Sequence, residues 1–184
     1  MSSGMTTVNE PLAITHNIYQ SLDSCKDVCA IFLVVSEAFD KVLHEGLLFK
    51  GRPFDIAATL ISPFENYLTN WSERVVLNGK ASPSQPISAG VPQGSICGTL
   101  LFLIDVNDVK YNILSSITLF VDNTALIKKI DNLVNDFRKL NNDLETLKSW
   151  SKQWLITFNA GKTKYLIFSK KPKKCTLPYI TWIM

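Results

Sequence analysis

The chain has 184 residues, of which 46% are hydrophobic and 19% charged, and its formal net charge is +3. This globular composition leaves room for one core, excluding a disordered chain and a string of full domains. Its apolar runs are too short to span a membrane, its N-terminus lacks the basic-then-apolar order of a secretory signal, and its mild basic excess permits a nucleic-acid partner without demanding one.

An intracellular location, cytoplasmic or nuclear, is therefore expected. Cys25, Cys29, Cys97 and Cys175 then read as reduced thiols. Cys25 and Cys29 form C-x-x-x-C, but no second close pair completes a tetrahedral metal site. His16 and His44 are far apart and read as surface or helix-end residues.

In chain order, residues 9–23 place Leu12, Ile14, Ile18, Tyr19 and Leu22 on roughly one helical face. Val28 to Val35 is an unbroken apolar run of strand length, which suits a central strand covered on both faces. Residues 44–50 and 56–70 look helical, with Pro63 predicting a kink or a late start. Glu73 to Ser88 reads as a β-hairpin turning at Asn78-Gly79. The glycine- and proline-rich loop Ala89 to Ser95 leads into Ile96 to Val109, expected as a buried helix with Ser95 as its N-cap. Ser116 to Phe120 and Thr124 to Ile127 form a second hairpin around Asp122-Asn123. From Asp131 to Trp154, Val134, Phe137, Leu140, Leu144, Leu147, Trp150 and Trp154 recur at helical spacing and are expected as core. Tyr165 to Phe168 is a last strand, followed by a lysine-rich tail. The order predicts an α+β fold, a mainly antiparallel sheet with helices packed on one face.

Read without any relative, the chemistry is sparse. Asp122 lies at a hairpin tip, and Asp40 lies just past the buried strand. Strand ends and hairpin tips are where polymerase palms present carboxylates to paired Mg²⁺ ions. The competing reading is that Asp122-Asn123 are turn residues that tolerate a left-handed backbone. Gly90 and Gly94 could admit a ligand to the backbone or simply shape a loop. Lys170, Lys171, Lys173 and Lys174 could contact phosphate or form a solvated end.

Four strings together narrow these readings: IFLVVSEAFDKVLHEGLL, SAGVPQGSICGTLLFLIDVND, LFVDNTALI and LNNDLETLKSWSKQWLITFNAGKTKYLIFSKK. In order and spacing they resemble the palm of non-LTR retrotransposon reverse transcriptases of the jockey-like kind. The resemblance runs over residues 15–171. It makes residues 1–14 a leader, 15–171 a reverse transcriptase palm region without fingers or thumb, and 172–184 an irregular tail. It implies a polymerase-type palm that copies an RNA template from a DNA primer, using deoxynucleoside triphosphates and Mg²⁺, with no membrane partner. Under it, Phe39 packs beneath the incoming sugar. Pro92, Gln93 and Gly94 lie by the incoming nucleotide and template base. Asp122 is a metal-binding carboxylate, and Lys162 is the lysine that protonates the leaving pyrophosphate.

The chain departs from that pattern where metal chemistry is concentrated. Val34 stands at the position of a metal-bridging aspartate, and Asn123 at that of the second aspartate of the F-A-D-D hairpin. Asp40 matches a family aspartate with a different usual role. Glu37, Leu43, Cys97-Gly98-Thr99 and Asp105 replace Lys, Trp, Leu-Gly-Pro and Tyr. Asp105 puts a carboxylate in an apolar helix, which is costly if buried and unpaired. The expectation is an inactive polymerase fragment, with a nucleic-acid-binding or protein-interaction remnant and a translated pseudogene as alternatives. A palm without fingers or thumb would also expose apolar surface and self-associate.

Overall fold

A computed structural model describes residues 9–51, 58–69, 71–120 and 123–170. The elements run α1 (Asn9–Asp23), β1 (Asp27–Ser36), α2 (His44–Gly51), α3 (Ala58–Leu68), β2 (Ser72–Glu73), β3 (Val76–Leu77), β4 (Lys80–Ala81), β5 (Gln85–Pro86) and α4 (Ile96–Val106). A 3₁₀ turn (Asn107–Lys110), β6 (Ser116–Phe120), β7 (Asn123–Ile130), α5 (Leu133–Gln153), β8 (Thr157–Phe158) and β9 (Lys164–Phe168) complete the order. No helix among the described residues is long and apolar enough to cross a membrane.

The backbone divides into two compact units. The first holds α1, β1, β6, β7, α5, β8 and β9. Its sheet is antiparallel throughout, in the order β6-β7-β1, with β8 and β9 both on the far side of β1. β1 is central because its apolar run leaves no polar side: Val28, Cys29, Ala30 and Leu33 are fully buried whichever way they point. Burial pushes the Cys29 thiol up to about 11, so this cysteine is inert filling.

Ile14, Ile18 and Leu22 of α1 pack over Val28, Ala30 and Ile127. Leu12 and Tyr19, expected on the same face, are exposed. They lie off the i, i+4, i+8 row that meets the sheet. In α5, Phe137, Leu140, Leu144 and Leu147 are buried as expected. Val134 is 73% exposed and Trp150 is half-buried, so the buried stripe runs from Phe137 to Leu147. Two acids position this helix. Asp136 accepts the N–H groups of Asp131 and Asn132 ahead of it, both at 2.9 Å. Asp143 accepts those of Leu114 and Ser115, also at 2.9 Å, and so fixes the approach to β6.

The second unit holds α2, α3, the short strands β2–β5, α4 and residues 154–156. The predicted first hairpin is present. Asn78 and Gly79 take φ of 50° and 75°, as a type I′ turn needs. β3 pairs with β4, and β2 with β5. Pro63 lies inside α3, which begins at Ala58, and residues 56 and 57 fall outside the described segments. Ser95 caps α4 as expected, its Oγ accepting the Gly98 N–H at 2.8 Å. The expectation that α4 is wholly buried needs correcting. Gly98, Leu101, Phe102, Asp105 and Val106 form one buried stripe, while Ile96 is 90% exposed and Leu100 and Leu103 are also exposed. A helix of uniform hydrophobicity still buries only the stripe that meets a neighbour.

Candidate active site

In the first unit, the ladder places Val34 of β1 directly opposite Asn123 of β7. Cross-strand partners hold their Cβ atoms roughly 4.5–5.5 Å apart, so these two side chains share one small patch of the sheet. Val34 is half-buried and Asn123 exposed. Neither supplies an anionic oxygen. Asp122 lies outside the described residues. Among those described, no group of three or more His, Cys, Asp or Glu could hold a metal ion.

The loop carrying Lys162 is fastened to the same strand. The Val34 carbonyl accepts the Asn159 N–H at 2.7 Å. Asn159 then organises the loop: its Oδ1 accepts the Lys162 N–H at 3.0 Å, and its carbonyl accepts the Thr163 hydroxyl at 2.9 Å. Lys162 is exposed. The sequence reading missed Asn159. Its signal was an Asn-Ala-Gly turn after an apolar segment, which marks a turn without showing what the turn is attached to.

The second unit holds Phe39, Pro92, Gln93 and Gly94. Phe39 is half-buried, its ring centroid 5.4 Å from that of Phe102 on α4. Backbone bonds join its segment to the glycine-rich loop: Val91 N–H donates to Phe39 O at 2.8 Å, and Gly90 N–H to Val42 O at 2.9 Å. Pro92 is held by Ser95, whose hydroxyl donates to its carbonyl at 2.9 Å. Gly98 permits this arrangement. A Cβ there would stand 2.2 Å from the Pro92 carbonyl oxygen, so no other residue fits without moving the loop. Gln93 and Gly94 are exposed at the turn, Gly94 with φ of 85°.

Asp105 is buried in the same unit, but it is paired. Lys50 Nζ lies 3.2 Å from its Oδ1 and 3.1 Å from Asp108 Oδ1. Burial raises the acid's pKa, Lys50 opposes this through charge and a hydrogen bond, and Asp108 adds to the rise.

Comparison with known proteins decides the family. The model of the family described as "Reverse transcriptase (RNA-dependent DNA polymerase)" matches residues 5–178. The chain belongs to the reverse transcriptase family. The RNA-directed DNA polymerase from mobile element jockey of Drosophila funebris is 30% identical to this reverse transcriptase chain over 169 residues, covering 85% of the chain and 18% of that protein. The jockey polymerase of Drosophila melanogaster is 26% identical over 164 residues, again 85% and 18%. The probable polymerase from transposon BS of the same fly is 29% identical over 177 residues, 91% of the chain and 19% of that protein. The chain thus spans about a fifth of the length of these relatives.

Apo telomerase from Candida tropicalis, truncated from its C-terminal domain, superposes with a TM-score of 0.62 at 12% identity, covering 94% of the chain and 37% of that structure. Telomerase from the same yeast, solved in complex with a fragment of telomeric RNA, gives 0.63 at 11% identity, with 89% and 30% covered. The α+β fold of this reverse transcriptase fragment is therefore of the polymerase palm type, as expected.

Proposed function

We propose that this chain is the palm of a retrotransposon RNA-directed DNA polymerase whose own nucleotidyl-transfer chemistry has been lost. The observation that carries this reading is the cross-strand placement of Val34 and Asn123. Aspartates at both positions would give the sheet two carboxylates directly opposite each other. Valine offers no lone pair, and asparagine offers only a neutral oxygen. Mg²⁺ dehydrates reluctantly and relies on one or two carboxylates besides substrate phosphates, so the residues present do not fit a pair of such ions. Losing about 4 kcal/mol of transition-state stabilisation slows a reaction roughly a thousandfold.

Within each unit taken by itself, the other candidate residues suit the roles that the family resemblance gives them. Phe39 is backed by Phe102 and can support an incoming sugar. Pro92, Gln93 and Gly94 sit on a loop pinned at both ends and can meet a nucleotide and a template base. Lys162 is presented on a loop hung from the strand that holds Val34, where it can reach a phosphate. An RNA template and a DNA primer are the partners this reading assigns. The consecutive exposed residues Val75, Val76 and Leu77 on the first hairpin support self-association as a further property.

The test is primer extension on an RNA template with Mg²⁺, comparing the natural chain with a Val34→Asp, Asn123→Asp double variant. The expected result is no extension by the natural chain and measurable extension by the double variant. Extension by the natural chain would overturn the proposal. Salt-dependent binding of a primer–template by a chain that extends nothing in either form would favour a binding remnant instead.

A further inference from the structure

A groove of about 460 Å³ in the second unit is lined by Asp40, Trp71, Glu73, Gly90, Pro92 and Gln93, with flanking backbone. That size suits a small ligand or an inserted side chain. Its walls are fixed by hydrogen bonds. Ile87 N–H donates to Trp71 O at 3.0 Å, and His44 Nε2 donates to the Gly90 carbonyl at 2.7 Å. The Trp71 ring is braced from two directions. His44 meets it edge-on, at 85° and 6.0 Å between centroids, and Tyr67 lies 5.5 Å away. An indole held this way is a preorganised stacking surface.

The charge of the groove selects its ligand. Asp40 and Glu73 are exposed, and neither joins an ion pair among the described residues. Among the described residues, no Lys or Arg lines the groove. Two carboxylates with no counter-ion among the described residues make a poor seat for phosphate and a good one for a cation. Trp is the ring that attracts cations most strongly to its face. Among organic cations, a guanidinium is planar, weakly hydrated, stacks on aromatic rings and forks onto carboxylates. We propose that this groove binds the guanidinium of an arginine side chain presented by a peptide segment, stacked on Trp71 and paired with Asp40 and Glu73. The groove shares Pro92 and Gln93 with the loop that the polymerase reading gives to the nucleotide, and the proposal rests on Trp71, Asp40 and Glu73.

The test follows the indole N–H resonances of the full chain, which has Trp71, Trp150, Trp154 and Trp182. N-acetyl-arginine amide is titrated in, beside blocked lysine, spermidine and guanosine monophosphate. The Trp71 resonance, identified by its loss in Trp71→Phe, is expected to move saturably with blocked arginine. Asp40→Asn and Glu73→Gln should each weaken the response about fivefold, because each removes one charge-assisted contact. Both residues are exposed, and the Trp150 and Trp154 indole resonances report whether each variant stays folded. Should one variant unfold, the other decides. A Trp71 resonance that does not saturate, or that responds in both variants as strongly as in the natural chain, overturns the proposal. So does tighter binding of spermidine, which would make this a free-amine site, or of the nucleotide, which would make it a base pocket.

Discussion

Lys50 Nζ lies 3.2 Å from Asp105 Oδ1, and both side chains are only 3% exposed. The same ammonium donates to the Asp105 carbonyl and sits 3.8 Å above the centre of the Trp154 ring. Asp105 looks in sequence like damage to an apolar helix. In the fold it belongs to a closed cluster of cation, carboxylates and indole within one unit. A charge acquired at random in a core has no reason to meet a buried partner of opposite sign. This neighbourhood is compensated, whatever has happened at Val34 and Asn123.

Removing one partner of such a pair is expected to cost more than removing both. Lys50→Met leaves the Asp105 carboxylate buried with no cation beside it, and should destabilise the fold by ~3–5 kcal/mol. Lys50→Met combined with Asp105→Leu should recover most of that loss, giving a coupling above ~1 kcal/mol in a double-mutant cycle. Urea unfolding measures both. A single-variant cost within ~0.5 kcal/mol, the range of neutral surface changes, would show that the pair is not closed as described.

The same acid predicts a sign for the pH dependence. Burial raises the Asp105 pKa against the opposing pull of Lys50. Between the unfolded value and this raised folded value the native state holds the extra proton, so stability falls as pH rises through the window. Asp136 runs the other way. Burial pushes it up, but the N–H groups of Asn132 and Asp131 and the charge of Lys139 outweigh that and hold it below its ordinary value. Its contribution is present above the unfolded value and is lost as pH falls through the folded one. Relative to Asp105→Asn, the natural chain should therefore gain stability as pH drops toward 4, the ordinary value for an aspartate, roughly 3.9. Thermal unfolding of the two chains across that range checks the sign, and a relative loss on acidification would refute it.

The parts of the fold legible in sequence are those where one local pattern decides the outcome. Val28 to Val35 has no polar face, so a buried strand was forced. The stripe from Phe137 to Leu147 fits one period, so a helix was forced. Ser95 could be read as a cap because capping is local. What stayed hidden depends on partners far along the chain. Lys50 and Asp105 are 55 residues apart. The Val34 carbonyl is claimed by a backbone N–H that every residue type owns, so no letter of the sequence marks it. β8 spans two residues, too few for any period to show. Val34 and Asn123 were flagged as departures from a family pattern, but only the ladder shows that they face each other.

Gly98 gives a sharp test of the loop that holds Pro92 to Gly94. Alanine is normally the better helix former by ~1 kcal/mol, so Gly98→Ala would stabilise α4 if space allowed. Here the added carbon would meet the Pro92 carbonyl oxygen at 2.2 Å and Ser95 Oγ at 2.9 Å. The loop must move, and a net loss of ~1–3 kcal/mol is expected in urea unfolding. Gly94→Ala meets nothing within 4 Å and suffers only from its φ of 85°, so its loss should be near ~1 kcal/mol. Equal costs would mean that the close approach at Gly98 is absent in solution.

Metal binding can be separated from catalysis by following stability. In the natural chain, Val34 and Asn123 face each other without a negative charge, so Mg²⁺ should leave the melting temperature unchanged. The Val34→Asp, Asn123→Asp variant places two like charges directly opposite one another, one at a half-buried position. Without metal it should melt below the natural chain, because like charges at such cross-strand positions repel. A divalent ion binding between them reverses the sign of that interaction. At a tenfold excess over its dissociation constant, the ion stabilises the fold by about 1.4 kcal/mol. For a chain of this size that corresponds to ~3–5 °C in a thermal melt. The gain should vanish on adding chelator. An equal Mg²⁺-dependent rise in the natural chain would show that other oxygens hold the ion, and the proposed loss of chemistry at Val34 and Asn123 would then fail even before any polymerase assay.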